Sequence, residues 1–259
     1  MTPDITTTGF NWSNALALLD VAADAYQQHT LCDPRTDAQA CIRDLDDCVV
    51  VAFRGSKAPA DFVQDAKFEL AEYFRVHDTC IAEVHAGFLE DFHAIGGQMV
   101  DRVKTLLAGH DSFRPVYVTG HSLGGALAIL CAMEFVREKI PVAGVYTFGQ
   151  PRVGNATFAR LYDCRLADRT WRLVNANDLV PRLPGLLLGY RHCGQEILLA
   201  PGGGCLVNPP WWQTGLSDVV GFYSAFRRRC EVLITEHYLE AYRSVVSADA
   251  IAADLNHEF

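Results

Sequence analysis

In the stretch VTGHSLGGALA, Val118 to Ala128, residues Gly120-His121-Ser122-Leu123-Gly124 form a G-x-S-x-G pattern, with strand-forming residues before it and helix-forming residues after it. A serine on so sharp a turn presents its hydroxyl for attack on a carbonyl carbon. It needs glycine two places to either side, because a side chain there would meet the neighbouring strand or helix. Gly125 and Ala126 keep the following helix slim. The same turn aims the Leu123 amide and the positive end of the helix at a developing oxyanion. The plainer use of Ser122 is as a helix N-cap.

A serine nucleophile needs a base, and the base needs an orienting carboxylate; in a strand-turn-helix setting of this kind the chain order is serine, acid, histidine. Asp178 lies in LVNANDLVPRLPG, just past a strand that ends at Val174, where loops at strand carboxyl ends face a site. Pro181 and Pro184 prevent a helix there. An Asx-turn is the alternative role for this aspartate. Of the histidines that follow, His237 in LITEHYLEAY comes just after the apolar Val232 to Ile234 and opens the last helix, so its ring can reach over the sheet edge. His192 shortly precedes a strand and is the spare candidate, while His257 sits beside the chain terminus. His85 and His121 read as hydrogen-bonded or core histidines. The chemistry expected of Ser122, Asp178 and His237 is acyl transfer, with neither a metal nor an organic cofactor.

The elements that must hold these residues alternate along the chain. Ala15 to Tyr26 has helical spacing, ACIRDLDDCVVVAFRG reads as a hairpin ending in a buried strand at Val49 to Phe53, and HAGFLEDFHAIGGQMVDRVKTLLAG reads as a long helix. Then come strand Val116 to Thr119, helix Leu123 to Phe135, strand Val142 to Phe148, helix Asn155 to Leu161 and strand Thr170 to Val174, with Gln195 to Leu199 and the amphipathic Tyr238 to Val246 after them. This order implies an α/β protein with a mostly parallel central sheet flanked by helices, read as one domain over residues 1–259. APGGGCLVNPPWWQTG reads as a surface loop, and PGGGC within it lacks the lysine of a phosphate loop.

Bulk properties exclude several functions. A formal charge of −9 and a pI near 5.4 leave no basic stripe for nucleic acid, despite the short run Arg227-Arg228-Arg229. The nine cysteines contain no C-x-x-C pair, so neither a zinc site nor an obligatory disulfide framework is expected. No apolar run is long enough for a transmembrane segment. The start MTPDITTTGFNW has no secretory signal pattern, which favours a cytoplasmic location slightly, with a secreted mature form as the alternative.

VVVAFRGS (Val49 to Ser56), VHAGFLEDF (Val84 to Phe92), VTGHSLGGALA, YTFGQPRVGN (Tyr146 to Asn155), NANDLVPRLP (Asn175 to Pro184) and EHYLEAY occur in order, and on them the chain resembles the fungal-type class 3 lipases, a branch of the α/β-hydrolases. The resemblance implies the α/β-hydrolase fold and a triad on Ser122, Asp178 and His237. It adds an oxyanion hole from Ser56 and Leu123, and a short helical lid in KAPADFVQDAKFEL, with Phe62, Val63 and Phe68 as candidate substrate or lid residues. The implied activity is hydrolysis of acylglycerol or other ester substrates at a lipid-water interface. Esterase activity on short-chain or feruloyl-type esters, phospholipase A1 activity and a catalytically inert lipase-like binding protein remain as alternatives. The tract LAPGGGCLVNPPWWQTGLSDVVGF departs from the pattern; its Trp211-Trp212 pair could border an acyl groove or pack on its own domain.

Overall fold

Val49–Phe53 is apolar at every position, and such a run needs cover on both sides. In the computed structural model that is what it receives. Val49, Val51 and Phe53 point into one buried cluster, Val50 and Ala52 into another. The structure describes residues 3–4, 9–56, 68–77, 79–110, 113–176, 178–200, 204–209 and 237–257.

The described elements are, in order, α1 (Trp12–Asp24), β1 (Leu31–Cys32), β2 (Gln39–Asp44), β3 (Val49–Phe53), β4 (Leu70–His77), β5 (Cys80–His85), α2 (Ala86–Ala108), β6 (Val116–His121) and α3 (Leu123–Arg137). They continue with β7 (Val142–Phe148), β8 (Gly154–Asn155), α4 (Ala156–Leu166), β9 (Thr170–Asn175), β10 (Tyr190–Arg191), β11 (Gln195–Leu199), β12 (Cys205–Val207) and α5 (Leu239–His257). The main sheet has the order β1-β2-β3-β6-β7-β9-β11-β12. Its centre, β3 through β11, is parallel, and antiparallel strands finish both edges. This is the mostly parallel, helix-flanked sheet read from the sequence.

One face is covered by α2, α3 and α4, with Phe88, Ile95, Leu130, Phe135 and Phe158 in its core. The other is covered by α1 and α5, with Leu18, Leu19, Trp171 and Tyr242 in its core. Helix α3 is buried almost all round because it lies between the sheet and α2, which explains its run of Leu, Ile, Ala and Cys. The hairpin from Gln39 to Phe53 pairs as expected, with Ala40 opposite Phe53.

Two segments differ from the sequence reading. The stretch expected as a helical lid through Phe68 and Leu70 becomes, from Leu70 on, strand β4, which pairs with β5 in a second sheet of order β10-β8-β5-β4. Glu72 and Arg75, at spacing typical of a helix, form their ion pair across an irregular edge strand instead. Tyr73 lies edge-on to Phe158, with ring centroids 5.3 Å apart. Packing therefore outweighed local charge spacing. The helical lid expected over residues 57–70 is thus not helical at its end; Phe62 and Val63 lie outside the described residues, and Phe68 packs edge-on to the His85 ring at 6.3 Å. The stretch read as a loop from Ala200 also contains β12, antiparallel to β11. Trp211, Trp212 and Val232 to Ile234 lie outside the described residues.

Phe135 is fully buried in the α2–α3 core. Phe135→Ala is expected to lower unfolding free energy by about 3–5 kcal/mol through lost transfer energy and a residual cavity, read by urea denaturation followed by circular dichroism.

Candidate active site

Ser122 occupies the turn between β6 and α3 with φ 58° and ψ −128°, a backbone conformation that a side chain tolerates only at a cost of about 1–3 kcal/mol. It stands at the N-cap position of α3, yet its side chain makes no capping hydrogen bond. The capping use of this serine is therefore not realised. The turn is held by the main chain: the Ser122 amide donates to Phe148 O at 2.9 Å, and the Gly125 amide donates to Ser122 O at 2.9 Å. The flanking glycines are needed for space. A Cβ on Gly120 would strike the main chain of Gly124, and one on Gly124 would strike the Phe53 carbonyl.

The Phe53-Arg54-Gly55-Ser56 loop lies directly against this turn. A Cβ on Gly55 would come within 2.6 Å of His121 O and 3.1 Å of Ser122 Cβ, so only glycine lets the loop approach the serine so closely. Arg54 anchors it from behind through an ion pair to Asp37 at 2.6 Å, with the guanidinium buried. Ser56 borders a cavity of about 500 Å³, which it shares with Tyr26, His121 and Tyr238. Leu123 begins α3, so its amide is one of the donors a helix start leaves without an intrahelical partner.

Asp178 and His237 are fully buried side chains, and His237 Nδ1 donates to Asp178 Oδ2 at 2.7 Å. The carboxylate can only accept, so Nδ1 carries the proton and Nε2 is the free lone pair. Nε2 is buried and has no hydrogen-bond partner among the described residues. The Asx-turn role considered for Asp178 is also present, because Val180 N donates to Oδ1 at 2.9 Å. One oxygen thus fixes the loop while the other faces the imidazole. Ser122 and the His237–Asp178 pair both lie against the end of β7. Ser122 bonds Phe148 O, and the next residue, Gly149, touches the histidine–aspartate pair.

His192, His85 and His121 are engaged elsewhere. His192 Nε2 donates to Pro181 O at 2.7 Å, beneath the aspartate loop and not on the Asp178 carboxylate; burial and the nearby Arg172 and Arg152 push its pKa well below the ordinary range. His85 caps α2, accepting from the Gly87 and Phe88 amides at 3.1 and 3.3 Å. His121 is buried with both ring nitrogens engaged.

Two residues of this site are absent from the sequence reading. The Tyr242 hydroxyl donates to Asp178 Oδ2 at 2.6 Å and accepts from the Asn175 amide at 3.0 Å; burial, then the Asp178 charge, raises its pKa well above the ordinary range. Its position in EHYLEAY, five residues beyond the histidine, is the available signal. Gly149, in YTFGQPRVGN, has φ +60°, and a Cβ there would sit 2.8 Å from His237 Cε1 and 2.9 Å from Asp178 Oδ2. Among the described residues no group of three or more His, Cys, Asp or Glu side chains could hold a metal ion, and no helix is long and apolar enough to cross a membrane. The eight described cysteines are free.

The family model described as lipase (class 3) matches residues 50–188, more than half the chain. The chain belongs to the class 3 lipase family. A lipase of Rhizomucor miehei is 34% identical over 165 residues, covering 62% of this chain and 44% of the relative. A secreted mono- and diacylglycerol lipase A of Penicillium cyclopium is 35% identical over 154 residues, covering 57% of this chain and 47% of the relative. The chain therefore spans about half the length of the curated relatives it matches. The solved structure of lipase II from Rhizopus niveus superimposes with a TM-score of 0.67 at 26% identity, over 76% of this chain and 83% of that one, which bears out the α/β-hydrolase fold. The secreted Penicillium relative lends nothing to the cytoplasmic location favoured from the N-terminal residues.

Gly149→Ala adds a methyl group where both the backbone and the space forbid it. The expected outcome is displacement of the His237–Asp178 pair and a loss of Ser122 labelling by a fluorophosphonate of about 10²-fold, the scale for a misplacement near 1 Å. Labelling rate on folded protein checks it.

Proposed function

We propose that this class 3 lipase is a serine carboxylester hydrolase acting on acylglycerols through an acyl-enzyme. One observation carries the reading. A fully buried histidine gives one nitrogen to a buried carboxylate and leaves the other without a partner among the described residues, at the same end of β7 as a strained serine that does not cap its helix. Leaving a buried ring nitrogen unsatisfied costs stability, and strain of this sort gathers at functional sites.

In the proposed reaction His237 Nε2 takes the Ser122 hydroxyl proton as Oγ attacks the ester carbonyl carbon. The Leu123 amide and the Ser56 amide, at the helix start and on the glycine-bordered loop, hold the oxyanion. The imidazolium then gives its proton to the departing alcohol oxygen, leaving an acyl-serine. Water repeats the sequence, losing its proton to His237 and releasing the fatty acid and free Ser122. Asp178 keeps the ring in the required tautomer and balances its transient charge.

The reading of acylglycerols over small soluble esters draws on the names of the relatives and on one surface feature. Leu186, Leu187 and Leu188 follow the Asp178 loop as a 3-10 turn, and Leu187 is fully solvent-exposed. Three adjacent exposed leucines suit contact with an aggregated lipid surface. Phe62, Val63 and Phe68 remain proposed substrate-side residues, and a secreted location is the compartment consistent with the Penicillium relative's name.

Ser122→Ala is expected to lower p-nitrophenyl butyrate hydrolysis by at least about 10⁴-fold, and Asp178→Asn by roughly 10⁴-fold in kcat. Purified protein in a spectrophotometric assay, with unfolding midpoints as the control, gives the answer; full turnover in Ser122→Ala would end the proposal. Leu187→Lys should lower tributyrin hydrolysis above the solubility limit by about tenfold, the equivalent of roughly 1.4 kcal/mol of apolar burial, with the dissolved ester unaffected. Equal loss on both substrates would remove the leucine turn from the interfacial reading.

A further inference from the structure

We propose that His121 and Tyr26 are positioning residues: a neutral, hydrogen-bonded strut that holds the His237 main chain and the Gly55-Ser56 loop in register with Ser122. The proposal rests on the hydrolase reading above. It concerns residues that neither attack, carry the proton nor bind the oxyanion.

The strut begins at the end of α1. The Tyr26 hydroxyl lies 2.8 Å from His121 Nδ1, and His121 Nε2 lies 2.6 Å from His237 O. A carbonyl oxygen only accepts, so Nε2 must carry the imidazole proton. In the neutral ring Nδ1 is then the acceptor, and Tyr26 donates to it. The direction of every bond is therefore set. The chain runs from Tyr26, just past α1, through the residue preceding Ser122, to His237 two residues before α5.

The oxyanion-side loop rests on the same strut. A Cβ on Gly55 would collide with the Tyr26 hydroxyl and come within 2.6 Å of His121 O. Three chain segments distant in sequence thus meet on two side chains: Gly55-Ser56, His121-Ser122 and His237. The protonation state of His121 matters for the base. The two imidazoles lie 4.7 Å apart, centroid to centroid, with planes 32° from parallel. A charge on His121 would oppose the charge His237 acquires when it takes the serine proton. Burial first, and His237 second, push the His121 pKa well below the ordinary range, while burial raises that of Tyr26. Both shifts favour the uncharged forms of the two side chains.

A role in position predicts a particular kinetic pattern. Tyr26→Phe removes one oxygen and leaves the ring in place. His121→Gln keeps an N–H able to reach His237 O, and His121→Phe keeps neither bond. For p-nitrophenyl butyrate, kcat should fall about tenfold in Tyr26→Phe and His121→Gln and about 10²-fold in His121→Phe, with KM within about twofold, as expected when reacting groups shift by up to about 1 Å. The partial rescue by glutamine is the readout that a space-filling role would not give. The proposal is overturned if Tyr26→Phe turns over at the wild-type rate, if glutamine and phenylalanine at 121 are equally impaired, or if the loss lies in KM alone. Fluorophosphonate labelling of the wild-type chain separates the two readings. Failure to label ends the hydrolase reading and the strut's role with it, whereas a labelled wild type with a full-speed Tyr26→Phe ends the strut alone.

Discussion

A buried imidazole hydrogen-bonded to a buried carboxylate is the constraint on which the rest of this structure depends. Removing Asp178 from water is expensive unless its oxygens are paired, and they are, by the His237 ring, the Tyr242 hydroxyl and the Val180 amide. Each partner comes from a place with its own requirement. His237 lies just before α5 and Tyr242 in its first turn, so the start of α5 must pack against the sheet. Val180 follows Asp178 in a loop whose prolines hold it out of a regular helix. The desolvation penalty is thus met by tertiary packing and local chain geometry together.

The approach of main chains at the sheet's carboxyl edge is the second constraint. The Ser122 turn, the Gly55 loop and the end of β7 at Gly149 come so close that side chains at Gly55, Gly120, Gly124 and Gly149 would displace a backbone or the histidine–aspartate pair. The result is a site whose parts hang from main-chain hydrogen bonds and strand ends, with flexible side chains used sparingly. Strain at Ser122 is retained because β6, α3 and the bond to Phe148 all fix the turn. The class 3 lipase family, to which the chain belongs, is marked in the sequence by these same crowded segments.

Much of this was readable from residue order. The G-x-S-x-G turn, the parallel core and most boundaries between β3 and β11 follow from local rules: uniformly apolar runs for strands covered on both faces, slim residues where elements cross. The candidate aspartate and histidine were readable too, because chain order and strand ends limit where such groups can lie. The second sheet was not. Leu70 to His77 carries charges at helical spacing, and only pairing with β5 and the contact of Tyr73 with Phe158 make it a strand. Strand β12 is hidden in the sequence for the same reason, since its pairing with β11 outweighs a glycine-rich approach.

The sequence by itself determined the chemical types available and the turn that exposes Ser122, because a pentapeptide, its glycines and the flanking periodicities are local properties. It also determined that Asp178 could serve as either turn residue or acid. Only the tertiary structure decided that one of its oxygens holds the turn while the other faces an imidazole, that this imidazole is His237 and not His192, and that Gly149 and Tyr242 pack against the pair. Those outcomes depend on which buried polar atoms meet across the sheet edge, from segments as much as 116 residues apart in the case of His121 and His237, and no local pattern encodes such a meeting.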